Sequence, residues 1–158
     1  MSEYKLENTW ILWNHKLDDK SWTNDSYKNI YNFENIYDLK YYIDIIETIH
    51  LQNSMYFIMK ENIFPTWEDP KNSDGCCVSF KIPSKDIKQT WNKCVTNILC
   101  ENIYKNKNKN YINGISISPK KEFNIIKIWL KCKIKNIEDI LNIKDKYINN
   151  KNSMIKNN

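Results

Sequence analysis

Trp67 and Glu68 stand side by side in the stretch Ile63-Phe64-Pro65-Thr66-Trp67-Glu68-Asp69-Pro70-Lys71-Asn72, with a proline two residues before the indole and another two after the carboxylate. Prolines restrict the backbone and stiffen such a loop. An exposed indole offers a flat π face on which another ring can stack, and an adjacent carboxylate can accept N–H donors along that ring's edge. Two more tryptophans stand in polar surroundings. Trp22 lies in the polar stretch 17–25, and Trp129 alternates with Lys127, Lys131 and Lys133.

Taken singly, each of these indoles is equally well a packing anchor for its own segment. Taken together with Glu68 and the lysines, they describe a nucleotide pocket. Stacked bases contribute about 1–3 kcal/mol each, a carboxylate accepts from the donor edge of guanine, and ammonium groups meet phosphate. A cationic ring such as 7-methylguanine would also gain about 2 kcal/mol of cation–π attraction between two desolvated indoles. Such a pocket would prefer methylated over ordinary guanine.

The remaining composition narrows the alternatives. The 158 residues suit one domain with a modest core. All 24 basic residues are lysine, so phosphate must be met by point charges and not by guanidinium forks. The net charge of +5 favours an anionic partner only weakly. Two glycines in the whole chain argue against a glycine-rich phosphate loop. Five cysteines, at 76, 77, 94, 100 and 132, show no metal-ligand spacing, and those at 94, 100 and 132 fall at apolar positions, as buried reduced thiols of a cytoplasmic protein would. His15 and His50 have no partner spaced for metal or triad chemistry. No apolar run is long enough to span a membrane. Neither an enzyme nor a cofactor is expected; Glu68-Asp69 as an acid/base pair lacks any accompanying nucleophile.

The elements that must position these residues follow a repeating order. Strands are expected over 9–16, 27–33, 54–60, 76–82, 112–118 and 123–133, and helices over 35–49, 84–99 and 136–148. Asn35 and Asn136 serve as helix N-caps, with Asp38 and with Glu138 and Asp139 in the respective first turns. Strand-strand-helix, three times over, implies an α+β fold: an antiparallel sheet with three helices on one face and the other face open to water. In the strand that ends the series, Ile126, Ile128, Leu130 and Cys132 form the side under the helices, which leaves Trp129 on the wet face. Residues 1–148 form the domain, and 149–158 read as a polar, disordered tail.

Four motifs, in order, resemble the eukaryotic translation initiation factor 4E family, which binds the mRNA 5′ cap. Asn8-Thr9-Trp10-Ile11-Leu12-Trp13 is similar to its N-x-W-x-L-W strand, Ser21-Trp22 to its first stacking loop, Pro65-Thr66-Trp67-Glu68-Asp69 with Asn72 to its P-x-W-E-D-x-x-N loop, and Ile128-Trp129 to the I-W that closes the pocket. The resemblance spans residues 8 to about 147. It implies a curved sheet with the helices on the convex face and the cap slot on the concave side. In that slot Trp22 and Trp67 would sandwich the methylated base, Glu68 would hold the guanine N1 and N2 donors, the Trp67 backbone N–H would bond O6, and Trp129 would touch the N7 methyl group. Lys120 stands where the family carries a phosphate-binding Arg.

Several positions depart from the family pattern. Its second phosphate-binding Lys is Ile125 here, with Lys121 or Lys127 as substitutes, and an Arg beyond the W-E-D loop corresponds to Cys77. On the dorsal face, formed by Ile36, Leu39, Lys40 and Asn92, a docking Trp is replaced by Lys40 and a Leu by Asn92. The chain also ends where the family continues into further strands. The resemblance thus implies a monomer that binds capped mRNA as an initiation factor, with a weaker phosphate grip and an altered surface for a scaffold factor or binding-protein peptide. The alternative is a cap-binding repressor or decoy that does not engage the scaffold.

Overall fold

The computed structural model describes residues 4–106, 110–142 and 144–158. Alternation along the strands sorts side chains onto two faces. The strands are β1 (Lys5–Lys16), β2 (Lys28–Asn35), β3 (Ser54–Lys60), β4 (Cys76–Pro83), β5 (Ile112–Pro119), β6 (Phe123–Leu130) and β7 (Met154–Asn157). They form one curved antiparallel sheet in the order β2-β1-β3-β5-β6-β4-β7. Trp10, Ile58, Val78, Phe80, Ile126 and Ile128 face a large core on the helical side, whereas Phe57, Met59, Cys77 and Trp129 point the other way and form a smaller cluster with Ile63. Trp10 and Trp13 fall on opposite faces: Trp10 is fully buried in the main core and Trp13 packs against the smaller cluster.

Among the described residues, four α-helices accompany the sheet: α1 (Ile36–Ile45), α2 (Thr48–Asn53), α3 (Pro70–Ser73) and α4 (Ile87–Leu99). Asn35 opens α1 through a reciprocal capping box with Asp38. The stretch 35–49, read as one helix, is two, because Ile46 is extended (φ −70°, ψ 132°) and the His50 ring accepts from the Glu47 N–H at 2.9 Å to start the second. The buried Trp91 indole of α4 donates to the Tyr42 hydroxyl of α1 at 2.8 Å and ties the helical layer together.

Three expectations are corrected. The third helix does not form. The described residues of 136–148 hold only a 3-10 turn, Ile137–Asp139, since their backbone groups bond elsewhere: the Ile140 carbonyl accepts from Lys105, and Asn142 donates to the Ile103 carbonyl. The Asp145 carboxylate then takes the Tyr147 and Ile148 N–H groups. The apolar residues Ile137, Leu141 and Ile148 are nonetheless buried. Secondly, the segment read as a disordered tail carries β7, which pairs with β4 in the register Cys77↔Lys156, so the sheet continues past residue 148. Thirdly, Cys100 is exposed, at the end of α4.

Both glycines mark close approaches. A Cβ on Gly75 would lie 1.8 Å from the Leu130 carbonyl oxygen, and one on Gly114 would lie 2.2 Å from the Met59 sulfur.

Candidate nucleotide-binding cleft

The Trp67 loop is rigid for reasons visible in its own motif. Asp69 caps α3 by accepting from Lys71 N–H at 2.8 Å, and its other oxygen accepts from Phe64 N–H at 2.8 Å. Asn72, 1% exposed, donates to the carbonyls of Phe64 (3.0 Å) and Thr66 (2.9 Å) and accepts from the Asn113 amide (3.0 Å). The loop is therefore stitched to itself and to β5, and Trp67-Glu68 rides on a fixed hairpin of backbone. Glu68 makes no hydrogen bond or ion pair among the described residues, and it is exposed. Its acceptor oxygens are free for a ligand.

Trp22 comes from the β1–β2 connection. It is 58% exposed and stacks on His15 with ring centroids 3.9 Å apart and planes within 6°. Asp19 accepts from both the N–H and the hydroxyl of Ser21, at 2.9 and 2.6 Å, which closes the turn before Trp22. These bonds, with the charges of His15 and Lys28 behind them, hold the Asp19 carboxyl below its usual range.

The two loops meet over the non-helical face of the sheet. A cleft of about 340 Å³ there is lined by Trp22, Tyr27, Phe57, Trp67, Glu68, Ser116, Lys127 and Trp129, among others. Trp129 forms its floor and is not on a wet face: it is 3% exposed, 5.7 Å from the Trp67 ring and 6.4 Å from Phe57, with its indole N–H on the Ser116 hydroxyl at 3.0 Å. The reason is the smaller apolar cluster, which gives this face of the sheet a core of its own. Tyr27 packs edge-on against Phe57 and Phe64, and burial, then the Glu68 charge, raises its hydroxyl pKa.

Among the lysines of the described residues, only Lys127 lines the cleft, with its ammonium 5.9 Å from the Trp67 ring. Lys120 and Lys121 sit exposed at the β5–β6 turn, outside the lining. The Cys77 thiol is buried and raised to about 12 by desolvation, so it supplies no charge. Its cross-strand neighbour does: Lys156 on β7 places its ammonium 5.6 Å from the Trp67 ring. Sequence reasoning missed Lys156, because it lay in the supposed tail. It also placed Tyr27 only as the start of a strand and set His15 aside for want of a metal or triad partner, although His15 follows Trp13 by two residues and so shares its strand face.

On the opposite side, the expected dorsal set is only partly a surface. Leu39 is 4% exposed and belongs to the core, Ile36 is 43% exposed, and Asn92 is half-buried. Lys40 is exposed and pairs with Asp44 at 3.2 Å.

Comparison with known proteins agrees with this geometry. A sequence profile of the family described as Eukaryotic initiation factor 4E matches residues 5–156. The eukaryotic translation initiation factor 4E of Saccharomyces cerevisiae is 26% identical over 151 residues, which cover 92% of this chain and 69% of the yeast protein. A homolog from Acanthamoeba polyphaga mimivirus is 26% identical over 140 residues, covering 75% of this chain and 52% of the viral protein. Among solved structures, Ascaris suum eIF4E-3 in complex with the m7G cap superposes with a TM-score of 0.73 at 22% identity, covering 85% of this chain and 77% of that one. Schistosome eIF4E complexed with m7GpppA and 4E-BP gives a TM-score of 0.74 at 17% identity over 86% and 75% of the two chains. The fold, the order of the motifs and the match across nearly the whole sequence lead to one assignment: the chain belongs to the eukaryotic initiation factor 4E family.

Proposed function

We propose that this protein binds the 7-methylguanosine 5′ cap of mRNA and serves translation initiation in the cytoplasm. The observation that carries the reading is the convergence of Trp22, Trp67 and an unpaired Glu68 on one cleft, from loops far apart in sequence. Trp22 and Trp67 stack the base and Glu68 accepts from its N1 and N2 donors. Trp129 touches the methyl group from the floor. Lys127 takes the nearest phosphate, and Lys156 offers the charge that position 77 lacks. Lys120 and Lys121 lie further out, where they meet only the distal end of a triphosphate or the following nucleotides. Binding-protein peptides dock on the helical side, around Ile36 and Lys40, where α1 also exposes Tyr37, Tyr41 and Ile45.

Titrating 7-methyl-GTP and GTP against tryptophan fluorescence tests the reading. Preference for the methylated nucleotide by about tenfold or more is expected, because only the methylated ring carries the cation that two indoles attract. Equal quenching by both, or none by either, would sink it.

A further inference from the structure

His15 is fully buried, yet both of its ring nitrogens face carbonyl oxygens. Nδ1 lies 3.0 Å from the Lys16 carbonyl and Nε2 lies 3.1 Å from the Ser21 carbonyl. A neutral imidazole has one N–H and one lone pair, so it can donate to one of these oxygens only, and the other would face a lone pair. The imidazolium donates to both. In that form the ring spans the turn from the end of β1 to the residue before Trp22, while its face carries the Trp22 indole.

The groups around the ring allow a charge there. Asp19 is the nearby anion, Lys16 and Lys28 are the nearby cations, and Tyr27 packs edge-on at 5.1 Å, with Glu68 beyond it. On the β3 side the cross-strand partner is the neutral Met55. We propose that His15 is a positioning residue for Trp22, and that its doubly protonated ring holds this indole in the wall of the cleft. Loss of a proton removes one of the two donated bonds and loosens the turn. The first stacking wall is thus firmer with the ring doubly protonated than with it neutral.

The proposal rests on the cap-binding reading only for its effect on affinity, and it can be read without ligand. Trp22 emission, isolated as the difference between the parent protein and Trp22→Phe, should fall on acidification, as a protonated imidazole stacked on an indole quenches it. His15→Phe, which keeps a stacked ring but no donor, should make that difference independent of pH. So should His15→Gln, whose amide cannot gain a charge. An unchanged pH profile in both variants overturns the proposal. With 7-methyl-GTP, the affinity of the parent relative to His15→Phe should rise roughly 3- to 10-fold on acidification. Proton loss from the methylated base and from the phosphates is common to both proteins and cancels in the ratio. A flat or falling ratio overturns the proposal. Should neither protein bind the nucleotide, the cap reading fails while the emission profile still decides the place of His15.

Discussion

Glu68 is a carboxylate with no internal task, and that separates its binding role from its contribution to folding. Glu68→Gln removes the negative charge and replaces one acceptor oxygen with an N–H2 group that faces the donors of the base. A hydrogen bond to a charged group contributes about 1.5–3 kcal/mol, so losing one should make 7-methyl-GTP bind roughly 10- to 150-fold more weakly. The thermal midpoint should not move, because Glu68 makes no hydrogen bond or ion pair among the described residues. Nucleotide titration beside a melting curve reads both at once. The neighbouring residues divide the labour differently. Trp67 supplies a face, and Asp69 spends both oxygens on the loop's own N–H groups. The tripeptide was legible in sequence as a stacking and edge-reading unit, but the structural duty of its third member emerges only from the hydrogen bonds.

At the scale of elements, Asn72 connects the Trp67 loop to the sheet. Asn72→Ala leaves two loop carbonyls and the Asn113 amide short of partners in a buried place, at a cost of about 3 kcal/mol. Urea denaturation should show that loss, and 7-methyl-GTP affinity should fall with it because Trp67 is no longer held. Elements with strong local signals were readable: the alternation of Cys76 to Ile82, the stripe of α4 and the Asn35 cap all stand as the sequence suggests. The segment 136–148 misled for a physical reason. Its apolar residues recur at helical spacing, yet distant partners at Ile103 and Lys105 claim its backbone groups, and no local pattern encodes a partner so far away in sequence. β7 was hidden in the same manner. Its four residues, Met154–Asn157, carry little hydrophobic signal and become a strand only beside β4.

Across the whole molecule, an all-lysine surface has to place its ammonium groups somewhere, and one of them is uncomfortable. Lys60 is half-buried over Trp10, where it donates to Asn110, and desolvation lowers its pKa to about 8, with Glu101 opposing. Below that value the folded and unfolded chains both carry the charge, and the folded chain bears the full desolvation cost. Between about pH 8 and about pH 10.5 the folded chain has released the proton while the unfolded chain keeps it, so stability rises with pH. Lys60→Met should therefore stabilise the protein by about 1 kcal/mol at neutral pH, once solvent access to the ammonium is allowed for. Denaturation followed as a function of pH should show that advantage shrinking through the same window. The overall α+β arrangement and the open cleft opposite the helices were legible in the order of the elements. What the order of elements could not convey was that the cleft has an apolar floor, since Trp129 sits one residue from a core position and is buried from the other side. The short β7 strand carries a practical consequence of another kind. The Asn158 backbone N–H bonds the Gly75 carbonyl and its side chain bonds the Asn72 carbonyl, so an affinity tag, fluorophore or surface linker joined at that residue would begin against the Trp67 loop itself. A handle placed ahead of β1 would stand several strands away across the sheet, and immobilised measurements of nucleotide capture are better made from that side.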